Sequence, residues 1–440
     1  MNKRGYKKTL LFSFVNKMKK LLILLCFLFI HQVIYPVYFK HLGMSDGLSQ
    51  VSVMSIYQDQ LGRMWFGTRE GLSVYDGERM RVYKGWENPD QESSINVLLG
   101  HECDHLVGNR QGDIFFRTCD SLVRYDIREE KFYVIGKYKA KTVTSSNGDI
   151  WTGYDGMICR YDEKGDSLLL YTEEDIPDIS SLLVSGNKIW VGTYEGLYVI
   201  EKGEKARCLV DGPEFYRLFE SSSGEVWAGC RTGGLYRIMP DEKVVWYSDS
   251  KAEPYHIESN QIRSFAEDRF GNIWFGTFLG LHKYNPYTDK FTVYRQDHLP
   301  GSLSHSSVFS VYIDAQATIW VGTYYGGANY FNPEKEIFAH YTDNPFRKEC
   351  LNYSFVGHLA EDKNGNIWIC TEGGGLNFMD RKTRTFKYFT AGPSNSVLQN
   401  NLKCIAYDEK RDQLYIGTHH GGLTRFDIKT GIFHNYLDDY

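Results

Sequence analysis

Proline is scarce in this chain, 11 residues in 440. There is no excess of positive charge: Lys and Arg total 50 against 55 Asp and Glu, a formal net charge of -5. That balance removes the electrostatic case for nucleic acid binding. No long charge run or low-complexity tract interrupts the chain. Beyond the first thirty residues no apolar stretch is long enough to span a bilayer as a helix. There is no C-x-x-C pair, and the nine cysteines are scattered. Cys230 stands where sister segments carry Thr and Cys370 where they carry Gly, so buried free thiols are expected rather than a disulfide framework. The phosphate-binding P-loop and the dinucleotide fingerprint are missing.

What the chain has in quantity is aromatic side chains: 32 Tyr, 26 Phe and 9 Trp, 15% of all residues. Aromatic residues suit pleated, half-buried surfaces, so the bias points to a sheet-rich fold. The N-terminus carries Met18-Lys19-Lys20 followed by the apolar run Leu21 to Ile30. A basic start and about ten apolar residues form an export signal, too short for a membrane helix. Residues 1–34 are therefore expected to be a signal region, with Met18 as an alternative start. The mature chain is expected in the periplasm.

The aromatic residues recur in a pattern. Residues 59–75 read D-Q-L-G-R-M-W-F-G-T-R-E-G-L-S-V-Y, residues 268–284 D-R-F-G-N-I-W-F-G-T-F-L-G-L-H-K-Y, and residues 362–378 D-K-N-G-N-I-W-I-C-T-E-G-G-G-L-N-F. Nine copies follow one another, centred on Trp65, Phe115, Trp151, Trp190, Trp227, Trp274, Trp320, Trp368 and Tyr415. Their spacing runs from 36 to 50 residues, right for a four-stranded propeller blade. In the first copy the strands are expected at Val51 to Gln58, Arg63 to Thr68, Leu72 to Tyr75 and Met80 to Tyr83, with turns at Asp59–Gly62 and Asp76–Gly77. A blade cannot cover both of its faces, so neighbours stack. Trp65, Gly67, Gly71, Leu72 and their equivalents are thus expected to be scaffold.

The pattern D-x-x-G-x-[IM]-W-[FVI]-G-T-x-x-G-L resembles the two-component regulator propeller repeat, and the likeness covers about residues 38 to 440. The copy at 109–125, N-R-Q-G-D-I-F-F-R-T-C-D-S-L-V-R-Y, is degenerate. The resemblance implies the periplasmic sensor of a hybrid two-component system from polysaccharide-utilising bacteria. In that family two seven-bladed propellers precede a β-sandwich, a membrane helix, a histidine kinase and often a DNA-binding regulator. None of these later parts is in this sequence, so contact with a membrane would come only through them, and no enzymatic activity is expected of the chain itself.

The expected architecture is all-β: one seven-bladed propeller over residues 35–334 and the first two blades of an incomplete second propeller over residues 335–440. Tyr38 to Leu42 looks like an outer strand without its own blade. It would complete the seventh blade, which ends near Phe331, and so close the ring. Ile337 to Tyr341 looks like the same device for a second ring that holds only two repeats here. The last blade would then show an apolar face at Tyr415, Ile416, Leu423 and Phe426.

Binding is expected where the repeats differ. Between G-T and G-L two positions change in every copy, in turns that share a rim with the connections between blades. They give Arg69, Glu70, Tyr194, Glu195, Arg231, Phe278, Tyr324, Tyr325, His419 and His420 as candidate ligand contacts. Exposed aromatics can stack on sugar faces and Arg can pair with uronic or sulfate groups. The expected partner is an oligosaccharide, bound without turnover, with a second copy of the chain as a further partner; no cofactor and no metal are expected. Two other readings stay open, a structural or protein-interaction propeller and a propeller glycosidase or lyase. His101-Glu102-Cys103-Asp104-His105 matches the zinc motif H-E-x-x-H in letters only. On a strand its two histidines lie about 13 Å apart, at about 3.3 Å per residue.

Overall fold

A computed structural model of the chain describes residues 37–84, 102–118, 121–135, 139–162, 167–172, 176–201, 204–297, 301–334, 341, 343 and 350–436. The expected signal region and the expected strand at Ile337–Tyr341 (but for Tyr341) lie outside the described residues. Among the described residues, the sheets are nine, each of four antiparallel strands taken in chain order, with one exception. The chain separates into two compact units, Met1–Lys335 and Glu336–Tyr440.

The repeat motif folds the same way in each sheet for a physical reason. In the first copy Asp59 accepts the backbone N–H groups of Leu61 (3.0 Å) and Arg63 (2.9 Å) through one carboxylate oxygen. Its other oxygen accepts the indole N–H of Trp65 at 2.8 Å. The aspartate thus shapes the turn and satisfies the one polar atom of a tryptophan that is wholly buried. Asp268 with Trp274, Asp314 with Trp320 and Asp362 with Trp368 repeat this bond at 2.8, 2.8 and 3.1 Å. Where the turn carries no such aspartate, as before Trp151 and Trp227, the buried indole N–H has no hydrogen-bond partner. At the other end of the motif the hydroxyl of Thr68 donates to the carbonyl of Gly71 at 2.9 Å and accepts the N–H of Glu70 at 3.0 Å, pinning the variable turn between the second and third strands.

In the first unit the innermost strands are Val53–Gln58, Asp104–Gly108, Thr142–Ser146, Ile179–Ser185, Phe215–Glu220, Ile262–Glu267 and Val308–Ile313. Each lies beside the next, and Val308–Ile313 lies beside Val53–Gln58, so the seven form a ring. Its seams are aromatic. Trp65 packs on Tyr125 of the next sheet (4.9 Å between ring centres), Trp227 on Tyr284 (5.1 Å) and Trp274 on Phe331 (5.7 Å). The last seam joins Trp320 to Phe66 at 5.7 Å. The one sheet out of chain order is the seventh. Its outer strand is Lys40–Leu42, paired with Ala328–Phe331 in the register Lys40 to Tyr330 and Leu42 to Ala328. Phe39 anchors it edge-on to Phe331 at 4.9 Å. The ring is therefore held shut by a strand from the N-terminal end of the described chain.

The motif glycine two residues after the tryptophan sits where the next sheet comes closest. A Cβ on Gly67 would lie 2.4 Å from the carbonyl oxygen of Cys103, and one on Gly192 2.4 Å from that of Phe215. In the degenerate second copy this position is Arg117.

In the second unit two sheets, with innermost strands Val356–Glu361 and Leu402–Asp408, share one core around Trp368, Leu376, Leu402, Leu414, Ile416 and Phe426. The expected exposed apolar face is corrected here. Ile416 and Phe426 are buried between the two sheets, because that side of the last sheet faces Trp368; Leu423 is 39% exposed. The cysteine expectation is corrected in part: Cys159, Cys230 and Cys370 are buried free thiols and Cys103 and Cys350 are buried as well, but Cys208 and Cys404 are exposed.

Candidate functional site at the axis of the first unit

Six of the seven innermost strands in the first unit slip register near their first residue. The skipped residues are Met54, Ser180, Tyr216, Arg263 and Phe309, with His105 and Leu106 in the second sheet. A bulge sets two residues opposite one and re-aims a side chain. These bulges stand at the rim that also carries the variable turns after Thr68, Cys230, Thr277 and Thr323, since the innermost strand begins where the second strand ends.

Three of the re-aimed side chains meet the turn residues. The guanidinium of Arg263 lies over Phe309 (4.5 Å to the ring centre) and over Phe278 (5.3 Å), and donates to the hydroxyl of Ser307 at 2.8 Å. Phe309 packs on Tyr324 at 5.5 Å, and Tyr324 on Tyr325 at 5.6 Å. Arg69 covers the other part of Tyr324, 4.9 Å from its centre. Tyr216 is covered by Arg217 at 4.1 Å and Arg231 at 5.1 Å. The second sheet adds Arg117, whose Nε donates to Asp104 at 2.8 Å in a two-pronged ion pair.

These side chains influence one another across the ring. Asp104 and His105 both feel the charge of Arg217. The second and fifth sheets are three places apart in a ring of seven, so such an influence runs through its middle. At one end of the axis these side chains form a cluster, the basin, drawn from the fifth, sixth, seventh, first and second sheets, which are consecutive around the ring.

The basin is positive. Arg117 is paired with Asp104, and Arg231 lies 3.3 Å from Glu214. Among the described residues Arg69, Arg217 and Arg263 have no carboxylate within ion-pair distance. Burial, and then the like charges of Arg231 and Arg69, leave Arg263 below the ordinary arginine range. Burial and then Arg217 push the imidazole of His105 down to about 3, so it is neutral, and its Nδ1 accepts the N–H of Val143 at 3.4 Å. Burial raises the Asp104 carboxyl, but its interaction with His105 once that ring is protonated, the Arg117 hydrogen bond and the charges of Arg117 and Arg217 outweigh it and hold the carboxyl below its usual value. His105 stands in the left-handed region (φ 53°), and His101 is outside the described residues.

Of the residues expected from sequence, the basin brings together Arg69, Arg231, Phe278, Tyr324 and Tyr325. Glu70 does not join them; it lies 3.7 Å from Lys84. Tyr194 stacks under Lys141 at 4.2 Å, and Lys141 pairs with Asp178 at 2.7 Å, in the third and fourth sheets. Glu195 stands exposed beside it in the same turn. His419 and His420, their rings 3.9 Å apart, belong to the second unit. Sequence reasoning missed Tyr216, Arg217, Arg263 and Phe309, which sit in strands that the repeat pattern marks as scaffold. It also missed Arg117, although its signal was legible: an arginine in the place of the motif glycine.

No helix among the described residues is long and apolar enough to cross a membrane, which says nothing of a β-barrel. Three segments, residues 47–70, 256–278 and 350–373, match the two component regulator propeller family. A 58-residue stretch is 45% identical to histidine kinase P4 of Formosa agariphila, covering 13% of this chain and 4% of that protein. The fold is similar to the extracellular domain of the hybrid two-component system BT3049 from B. thetaiotaomicron, with TM-score 0.73 and 22% identity over 92% of this chain and 55% of that one. A second such domain, BT4673 of the same organism, gives TM-score 0.56 and 20% identity over 91% of this chain and 61% of that one. The chain thus spans little more than half the length of these solved structures. It carries two-component regulator propeller repeats, arranged in the all-β propeller fold that extracellular domains of hybrid two-component systems share.

Proposed function

We propose that this chain is the exported, ligand-sensing propeller region of a two-component sensor, and that it binds a glycan-derived oligosaccharide in the periplasm without turning it over. The observation that carries this reading is the axial basin. Side chains from five consecutive sheets, separated by up to 256 residues in sequence (Arg69 to Tyr325), gather at one end of the ring, with aromatic rings beside arginines that have no acidic partner among the described residues. Loops on a rigid scaffold are where binding residues collect, and convergent polar groups among aromatic walls are the ordinary make-up of a small-ligand site. The export signal expected from the N-terminal sequence and the fold shared with extracellular sensor domains support the location.

The reading is tested by titrating the purified chain with a panel of oligosaccharides in a calorimeter and analysing the same mixtures for products after long incubation. Saturable binding with no new product is expected. Cleavage of a panel member, abolished by one carboxylate substitution, would instead establish a propeller glycosidase or lyase.

A further inference from the structure

The basin's charge is more specific than its aromatic walls. A guanidinium carries five N–H donors. Among the described residues Arg263 uses one of them, on Ser307, and has no acidic partner. Arg217 uses its donors on the carbonyl (2.9 Å) and, at 3.5 Å, the hydroxyl of Tyr216. Both are half-buried, and both sit where a bulge has turned the inner strand. A half-buried arginine without a counter-ion is costly to a fold that gains nothing from it, because desolvating a charge is offset only by pairing. Among the described residues the acids in reach, Asp104, Glu214 and the exposed Glu102, are fewer than the five arginines Arg69, Arg117, Arg217, Arg231 and Arg263, and two of the three are engaged with Arg117 and Arg231. Phe309 and Tyr324 pack on each other, with Arg263 over one face of the first ring and Arg69 over one face of the second. A sugar ring resting there would carry its equatorial substituents toward guanidinium groups on both sides.

We propose that the axial basin takes an anionic saccharide, whose carboxylate or sulfate groups are held by Arg217 and Arg263 while a sugar ring lies against Phe309 and Tyr324. This rests on the sensor reading above and narrows its ligand class. A planar guanidinium meets a carboxylate or sulfate with two parallel hydrogen bonds, which a neutral hydroxyl cannot match.

The test uses the full chain and four probes in calorimetry: trigalacturonate, its neutral methyl ester, a sulfated chondroitin tetrasaccharide and the desulfated form of the latter. The anionic pattern is binding of trigalacturonate, or of the chondroitin tetrasaccharide, with the methyl ester at least about tenfold weaker, a gap of about 1.4 kcal/mol. Loss of binding on desulfation assigns the sulfate; retention assigns the uronate. Arg263→Gln and Arg217→Gln should each weaken the anionic probe about tenfold or more. Arg263→Lys, which keeps the charge and loses the fork, should fall between. Arg207→Gln, whose partner is Glu242 away from the basin, should bind as the parent does. Equal binding of trigalacturonate and its methyl ester, unmoved by Arg263→Gln and Arg217→Gln, overturns the anionic class and leaves the sensor reading intact. Binding of neither anionic probe also overturns it, and a wider panel of neutral oligosaccharides then decides whether the sensor reading falls with it.

Discussion

The same repeat behaves differently in the two units. In the first unit Val53, Ile262 and Val308, each the opening residue of an innermost strand, are fully buried because another sheet covers each side. In the second unit Val356, the equivalent residue, is 43% exposed and Leu359 of the same strand 59% exposed. Sequence alone does not explain this: Val356–Glu361 carries as many apolar residues as Ile262–Glu267, and the turn bond from Asp362 to Trp368 is made as that from Asp59 to Trp65 is. What differs is the number of neighbours. A blade supplies half of each seam, and the value of its apolar residues depends on what lies across it. The glycines tell the same story. At Gly67 an added Cβ meets the backbone of the next sheet, whereas at Gly417 it meets only the sulfur of Cys404 in its own sheet.

That comparison can be broken most severely at the closing strand. Deleting residues 38–42 from the full chain removes the pairing of Lys40–Leu42 with Ala328–Phe331 and the Phe39–Phe331 contact. The first unit should lose several kcal/mol, a large share of an ordinary domain's margin, and become protease-sensitive, while the second unit's cleavage pattern stays as it was. An unchanged thermal midpoint would show that the ring does not need this strand.

Acid should separate the units next. His105 and His282 lie in the first unit with pKa values pushed down to about 3 and about 4, chiefly by burial. Both are neutral when folded and take up a proton at about 6.5 when unfolded. Their stabilising effect is therefore complete above about pH 6.5 and is lost as the pH falls toward 4 and then 3. Each proton contributes at most about 1.4 kcal/mol per pH unit. Urea titrations at pH 7.5, 5.5 and 4.5 should show the first unit weakening more steeply than the second. His105→Asn with His282→Asn should flatten that slope, and a slope unaffected by both would contradict the assignment.

The smallest effect sharpens the seam argument. Gly67→Ala should cost about 1–3 kcal/mol, the usual penalty of overpacking against something that cannot move, because the obstructing atom is a backbone oxygen. Gly417→Ala should cost less than about 1 kcal/mol, since a cysteine side chain can turn aside. Equal losses in the two variants, read from chemical denaturation, would mean that the neighbouring sheet is not what makes the glycine necessary.

Much of the strand layout was legible in the chain. The outer strand Met80–Tyr83 and the second strand ending at Thr68 fall where alternation and turn residues put them, and Asp59, Gly62 and Trp65 announce their turn. The candidate site was legible in part, through turns that vary while their flanks repeat. The variable turns of the third and fourth sheets look the same in sequence, yet Tyr194 sits with Lys141 and Asp178 while Tyr324 faces Arg69 and Phe309.

The sequence by itself determined the blade: its four strands, the aspartate that ties the turn to the tryptophan, the glycine at the seam. Each of these acts over a few residues, so a local pattern records it. Only the tertiary structure decided the rest. Tyr216, Arg263 and Phe309 belong to strands that read as core, and a one-residue slip in pairing turned them out of it. Arg117 and Arg217 lie a hundred residues apart in sequence and were brought within reach by ring closure. A bulge and a closed ring are properties of how strands pair and how sheets neighbour one another, and no single repeat contains either.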